Sequence, residues 1–141
     1  MAGFSQYLAL LVFNGVLNPT PVPVIPPTGL WMALHTSEPD DTAYGGEASY
    51  AGYARAAVSS LTATVSSVPP ETRVVVTNNN AVTFTPSTNP LSVTVTHWSL
   101  WDAEATGDGN MLISGTLTPA RVVENGDWVI LPEGRFTFTI E

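Results

Sequence analysis

The sequence predicts an all-β fold: an antiparallel β-sandwich, jelly-roll or immunoglobulin-like in type, preceded by a short helix and a proline-rich arm. Three observations predict it. Residues 92–103 (SVTVTHWSLWDA) alternate almost without a break, with Val93, Val95, His97, Ser99 and Trp101 on one side and Thr94, Thr96, Trp98 and Leu100 on the other. Period two with β-branched and aromatic side chains means an extended strand, and large apolar groups on both faces place it centrally. Further short alternating runs follow one another with Gly, Pro and Asn turns between them, the spacing of a sandwich or barrel. Helical spacing shows convincingly only once, in residues 4–17.

That first segment (FSQYLALLVFNGVL) places Phe4, Tyr7, Leu8, Leu11 and Val12 at helical intervals, with Ser5 as a start signal and Gly15 and Asn18 as stop signals. It lacks the positive n-region and the small-residue cleavage site of a signal peptide. Its uninterrupted apolar run, residues 7–13, is far too short to span a bilayer. The expectation is therefore a docking helix. Residues 18–28 (NPTPVPVIPPT) carry five prolines and no charge, which predicts an extended, polyproline-like linker outside any central sheet. Residues 1–28 are accordingly expected to form an arm, either strapped over its own domain or reaching a neighbour, and residues 29–141 the sandwich.

Residues 30–35 (LWMALH) read as a short apolar strand, and 36–49 as an acidic surface loop holding Glu38, Asp40, Asp41 and Glu47. Residues 54–65 alternate as a strand that breaks near Ser59 and Ser60. After a turn at Val68, Pro69 and Pro70, residues 73–77 form a strand. Asn78, Asn79 and Asn80 suit a turn with left-handed backbone angles, which makes 81–85 its hairpin partner with Val82 and Phe84 inward. Beyond 92–103, the run Gly107-Asp108-Gly109-Asn110 turns the chain into a strand at 111–117. Residues 121–123 and 128–131 flank a hairpin signal at Asn125-Gly126-Asp127. The strand at 135–141 closes the chain with Phe136, Phe138 and Ile140 on one face.

Composition narrows the function. A chain of 141 residues is one domain, or one domain with an arm, and at this size buries roughly 68–70% of its extended-state surface. Charged residues make up 11%, about half the usual share. The only cations are Arg55, Arg73, Arg121 and Arg135, set against 12 acids for a net charge of −8, which argues against direct nucleic-acid binding. With no cysteine there is no disulfide, thiolate zinc site or cysteine nucleophile.

Catalytic chemistry finds little footing. No G-x-S-x-G-like turn accompanies His35 or His97, and neither histidine has a ligand-type neighbour two or four residues away. Asp102, Glu104, Asp108 and Asn110 do not match a calcium loop and read as a solvated acidic turn. No catalytic residue, metal ligand or cofactor is assigned. Trp31, Trp98, Trp101 and Trp128, with Tyr44, Tyr50 and Tyr53, are mainly core candidates, with one or two of them available as a sugar-stacking platform. Thr-rich faces with almost no charge to guard sheet edges point to edges covered by neighbouring chains.

Taken in order, LHTSEPDD (34–41), GGEASYAGYARAAV (45–58), NNNAVTFTP (78–86), VTHWSLWDA (95–103) and GNMLISGTLT (109–118), with a final aromatic strand, resemble a family of small tailed-bacteriophage virion structural proteins commonly labelled tail fibre protein. Members share a short helix, an LHT-x-x-P strand, a GG-x-YAR segment and a TH-aromatic-DA strand. Here Trp98 and Trp101 replace smaller aromatics, and the proline linker is richer. The resemblance implies a non-enzymatic virion subunit, assembled in the host bacterial cytoplasm. It would serve as capsid decoration or cement, or as a tail or tail-fibre component. Its partners would be major capsid or tail subunits and copies of itself. A receptor- or glycan-binding module that takes a host surface glycan on exposed Trp and Tyr is the alternative. Phe4, Tyr7, Leu8, Leu11, Arg55 and Trp101 are the expected interface residues, Arg55 pairing bidentately with a carboxylate on a neighbour or within the domain.

Overall fold

The computed structural model describes residues 3–20, 23, 27–40, 45–68 and 71–140. The chain runs through β1 (Gly3–Phe4), α1 (Gln6–Val12) with a wider π-helical turn over Phe13–Leu17, β2 (Trp31–His35), β3 (Ala56–Ala57), β4 (Leu61–Val68) and β5 (Glu71–Asn78). It continues through β6 (Val82–Thr83), β7 (Val93–Trp101), β8 (Met111–Val123), β9 (Ile130–Leu131) and β10 (Thr137–Ile140). A five-stranded sheet in the order β1-β8-β7-β2-β3, a three-stranded sheet β10-β5-β4 and a two-stranded ribbon β6-β9 are antiparallel throughout. This is the all-β, sandwich-like architecture with a short N-terminal helix that the alternation predicts.

The core lies between the sheets. Met32, Leu34, Val95, Trp98, Leu100, Ile113 and Val123 come from the large sheet and meet Val76 and Phe138 from the three-stranded one, Val82 from the ribbon, and Phe84 and Phe136 from the segments beside them. Trp98 is the hub: Phe136 meets it edge-on at 4.6 Å and Phe138 lies at 5.6 Å, the offset geometries that ring quadrupoles favour. Gly115 stands opposite Trp98 in the ladder, and a Cβ there would sit 2.6 Å from the indole. The other face of the large sheet carries a smaller cluster of Ala33, Trp101 and Met111.

The predicted spine is β7, the middle strand of its sheet, but strict alternation fails along it. Register breaks between Val95 and His97, where residues 117–120 of β8 bulge out opposite Thr96. The bulge changes the phase, so Val95 and Trp98 enter the same core instead of opposite faces.

Three further expectations are corrected. The asparagine turn forms with no left-handed non-glycine residue, because Asn78 turns inward: its amide donates to Asn80 O and Pro132 O, and its Oδ1 accepts from Phe136 N. Residues 82–83 therefore pair with β9 while β10 takes the place beside β5. The turn at Asn125-Gly126 also forms, but residues 121–123 belong to the long β8 against β7, so no local hairpin follows. Of the expected proline linker, residues 21, 22 and 24–26 lie outside the described residues, as do 41–44 of the acidic loop and 69–70 of the Val68 turn.

Candidate interaction site

Three features are functional candidates: an apolar helix on the outside, a buried polar cluster beneath the motif segments and a groove beside Trp128. The helix begins where Ser5 caps it, accepting from Leu8 N at 3.2 Å. Ser5 also ties the chain to the sheet, its N–H donating to Leu112 O at 2.9 Å and its hydroxyl to Met111 O. With β1 paired to Ile113 and Ser114, the start of the chain is held along β8, and α1 lies against the same strand.

Leu8 reaches the core, and Leu11 is half-buried. The rest of the helix faces outward although it is apolar. Phe4 and Tyr7 are exposed, as are Leu10 (53%), Phe13 (52%), Val16 (71%) and Leu17 (66%). No residue of α1 or of the π-helical turn is buried. An amphipathic surface helix would turn charge to solvent; residues 3–17 contain none.

Arg55 and Trp101, the other two expected interface residues, stand inside the chain. Arg55 precedes β3 at the sheet edge and meets Glu47 bidentately, Nε to Oε1 and Nη2 to Oε2, each 2.8 Å, with the two side chains 0% and 4% exposed. Its Nη1 donates to Ala103 O at 2.9 Å and Asp108 O at 3.0 Å. The guanidinium lies 4.0 Å over the Trp101 ring, a cation–π stack. One side chain thus fastens the 45–55 segment to the turn after β7. That turn closes on itself through Asp102, whose carboxylate accepts from Asn110 N at 2.6 Å and Asn110 Nδ2 at 2.9 Å.

A second chain of hydrogen bonds continues inward. Trp101 Nε1 donates to Ser99 Oγ at 2.7 Å, and Ser99 Oγ lies 2.6 Å from His35 Nε2. His35 Nδ1 lies 3.3 Å from Gly45 O. A proton on Nδ1 satisfies the whole series, with the Ser99 hydroxyl donating to Nε2. Burial lowers the His35 pKa below its ordinary 6.5, outweighing the upward pull of the Gly45 carbonyl and Glu47. Tyr53 donates to Glu47 Oε1 at 3.0 Å and accepts from Leu34 N at 3.2 Å; burial first, and then the Glu47 charge, raise its pKa. Gly46 adopts φ 73°, and a Cβ there would strike the Ser37 side chain, so this turn requires glycine.

His35 comes from the LHT segment, Gly45 through Arg55 from GG-x-YAR, and Ser99 through Ala103 from TH-aromatic-DA. These three segments therefore converge on one internal clasp. Glu47, expected in a solvated loop, is its buried anion, because residue 47 bridges to His35 as an extension of the β2 pairing.

The family model described as Podophage GP4 fiber I protein gp80 matches residues 3–139. The chain belongs to this family. It is a phage tail-fibre structural protein, a component of the virion. Among curated proteins, none matches the chain. No helix among the described residues is long and apolar enough to cross a membrane.

The third candidate, a surface groove, lies at the far end of β8. Arg121, Val122, Asp127, Trp128 and Ile130 line a groove of about 210 Å³ floored by Leu34 and Leu117. Trp128 is 60% exposed there.

Proposed function

We propose that this fibre protein is held in the virion by its N-terminal helix, which docks on another virion subunit, while the buried clasp keeps the sandwich rigid. The carrying observation is the uncharged outer face made by Leu10, Phe13, Val16 and Leu17. Their exposed area is on the order of 400 Å², the size of the largest apolar patch on a typical monomer. Covering it gives about 10 kcal/mol gross at 25 cal/mol per Å². Association costs about 4–15 kcal/mol in lost freedom, so one helix alone binds weakly. Many symmetric copies, each engaged at once, make such a contact durable. In this reading residues 1–28 form the attachment arm and 29–141 the presented domain. Arg55 and Trp101 serve the interface only by positioning. A fibre position accounts for the family better than capsid decoration.

Phages carrying Leu10→Asp together with Val16→Asp test this. The variant chain should fold with an unchanged melting temperature yet be depleted from purified particles. Full incorporation would refute helix docking.

A second reading draws on the groove beside Trp128. An exposed indole flanked by Arg121 and Asp127 suits a sugar ring, stacked on the aromatic face and hydrogen-bonded at its hydroxyls. Titration with host surface polysaccharide should quench tryptophan emission saturably in the native chain and not in Trp128→Ala. Absence of a saturable change would exclude this reading.

A further inference from the structure

The three-stranded sheet ends on β4, which pairs with β5 on one side and, among the described residues, has no strand on the other. Natural edges are guarded by lysine, proline, bulges or brevity. β4 has none of these: LTATVSSV is uncharged, eight residues long and in unbroken register with β5. Its inner face packs on the core at Leu61 but is uncovered beyond it. Ala63 pairs with the buried Val76 and Val65 with the half-buried Val74, so both belong to the core-directed face. Yet Ala63 is exposed and Val65 is 69% exposed. The outward Thr62 and Thr64 hydroxyls are directed within the hairpin, to Asn79 Oδ1 and Val75 O.

We propose that β4 pairs antiparallel with β4 of a second copy across a two-fold axis. The result is a continuous six-stranded sheet β10-β5-β4-β4-β5-β10 spanning both copies. A second copy fits this edge for two reasons. A second copy brings an identical uncharged strand, so no like charges meet at residues 61–66 even though each chain carries −8 overall. Two eight-residue strands also form roughly eight interchain hydrogen bonds, within the usual complement of an interface. The opposite edge, β10, has only four residues, so head-to-tail pairing of β4 with β10 halves that number. This surface is separate from the helix, and the two contacts operate independently.

Sedimentation velocity on the full chain, across roughly three decades of concentration, should show a reversible monomer–dimer equilibrium. Hydrogen exchange at residues 62–66 should slow as dimer accumulates. Ala63→Lys with Val65→Lys, at two exposed positions, should retain the native circular dichroism and melting temperature but sediment as monomer with fast exchange at 62–66. Leu10→Asp with Val16→Asp should dimerise as the native chain does. A native chain that stays monomeric, a ring or open polymer in place of a dimer, a dimer that survives the lysines, or a dimer whose 62–66 amides stay unprotected would each overturn the proposal. Loss of the dimer in the helix variant would do so as well, assigning self-association to the helix.

Discussion

Replacing Arg55 by alanine removes four hydrogen bonds and the stack on Trp101 at one stroke. The larger consequence is what stays behind. The Glu47 side chain is 4% exposed and, among the described residues, would keep only the Tyr53 hydroxyl, at 3.0 Å, as a partner. Removing one member of a buried ion pair costs about 3–5 kcal/mol, because the survivor is left charged and desolvated. For a domain of this size that corresponds to a fall in melting temperature of roughly 10–15 °C. Urea unfolding followed by tryptophan emission supplies the free energy, with Trp101 under the guanidinium as a local reporter. The double variant Arg55→Met with Glu47→Leu removes both charges and should recover at least half of the loss. If Arg55→Ala costs less than about 1 kcal/mol, or the double variant is no better than the single one, the clasp does not hold the 45–55 segment.

Other sites carry expectations of both signs. Gly115→Ala drives a methyl into the Trp98 indole, and overpacking should cost about 1–3 kcal/mol, measured by the same urea titration. Tyr50→Phe should be neutral or slightly stabilising, within about 0.5 kcal/mol, because among the described residues the buried Tyr50 hydroxyl has no hydrogen-bond partner to lose. His35, with its folded-state pKa below the ordinary 6.5, binds its proton more readily when unfolded. Stability should therefore be fully present above pH 6.5 and decline below it until the folded-state pKa is reached. His35→Gln should flatten that slope in pH-dependent melting curves.

The elements legible in the sequence are those in which local and tertiary preferences agree. β2, β7 and β10 announce themselves because their apolar and aromatic side chains are concentrated where burial is greatest, and Ser5 marks the helix start because its hydroxyl has a backbone N–H to cap. Pairing was legible only where neighbours in sequence are neighbours in space. Residues 82–83 look like the return strand of an asparagine hairpin, and nothing local reveals that Phe136 and Phe138 bind more strongly beside β5. The clasp was half legible. Arg55 stood out as a rare cation in an aromatic setting, fit for a bidentate carboxylate. Glu47 did not, since an acid eight residues away in a glycine-rich loop looks solvated until the bridge to His35 carries it under the sheet edge. Ser99 was equally hidden, because a serine in an alternating strand gives no sign that it links His35 to Trp101. Composition said more about the surface: an uncharged helix and an unguarded strand are visible as missing charge.

Helix docking can be measured most directly by site-specific photocrosslinking in intact virions, with the reactive group placed at Val16 in one phage and at Trp128 in another. Covalent capture of a second virion protein from position 16, and none from position 128, is the predicted result. Capture from position 128 with position 16 silent would contradict the account, placing the attachment at the groove and leaving the apolar helix facing water.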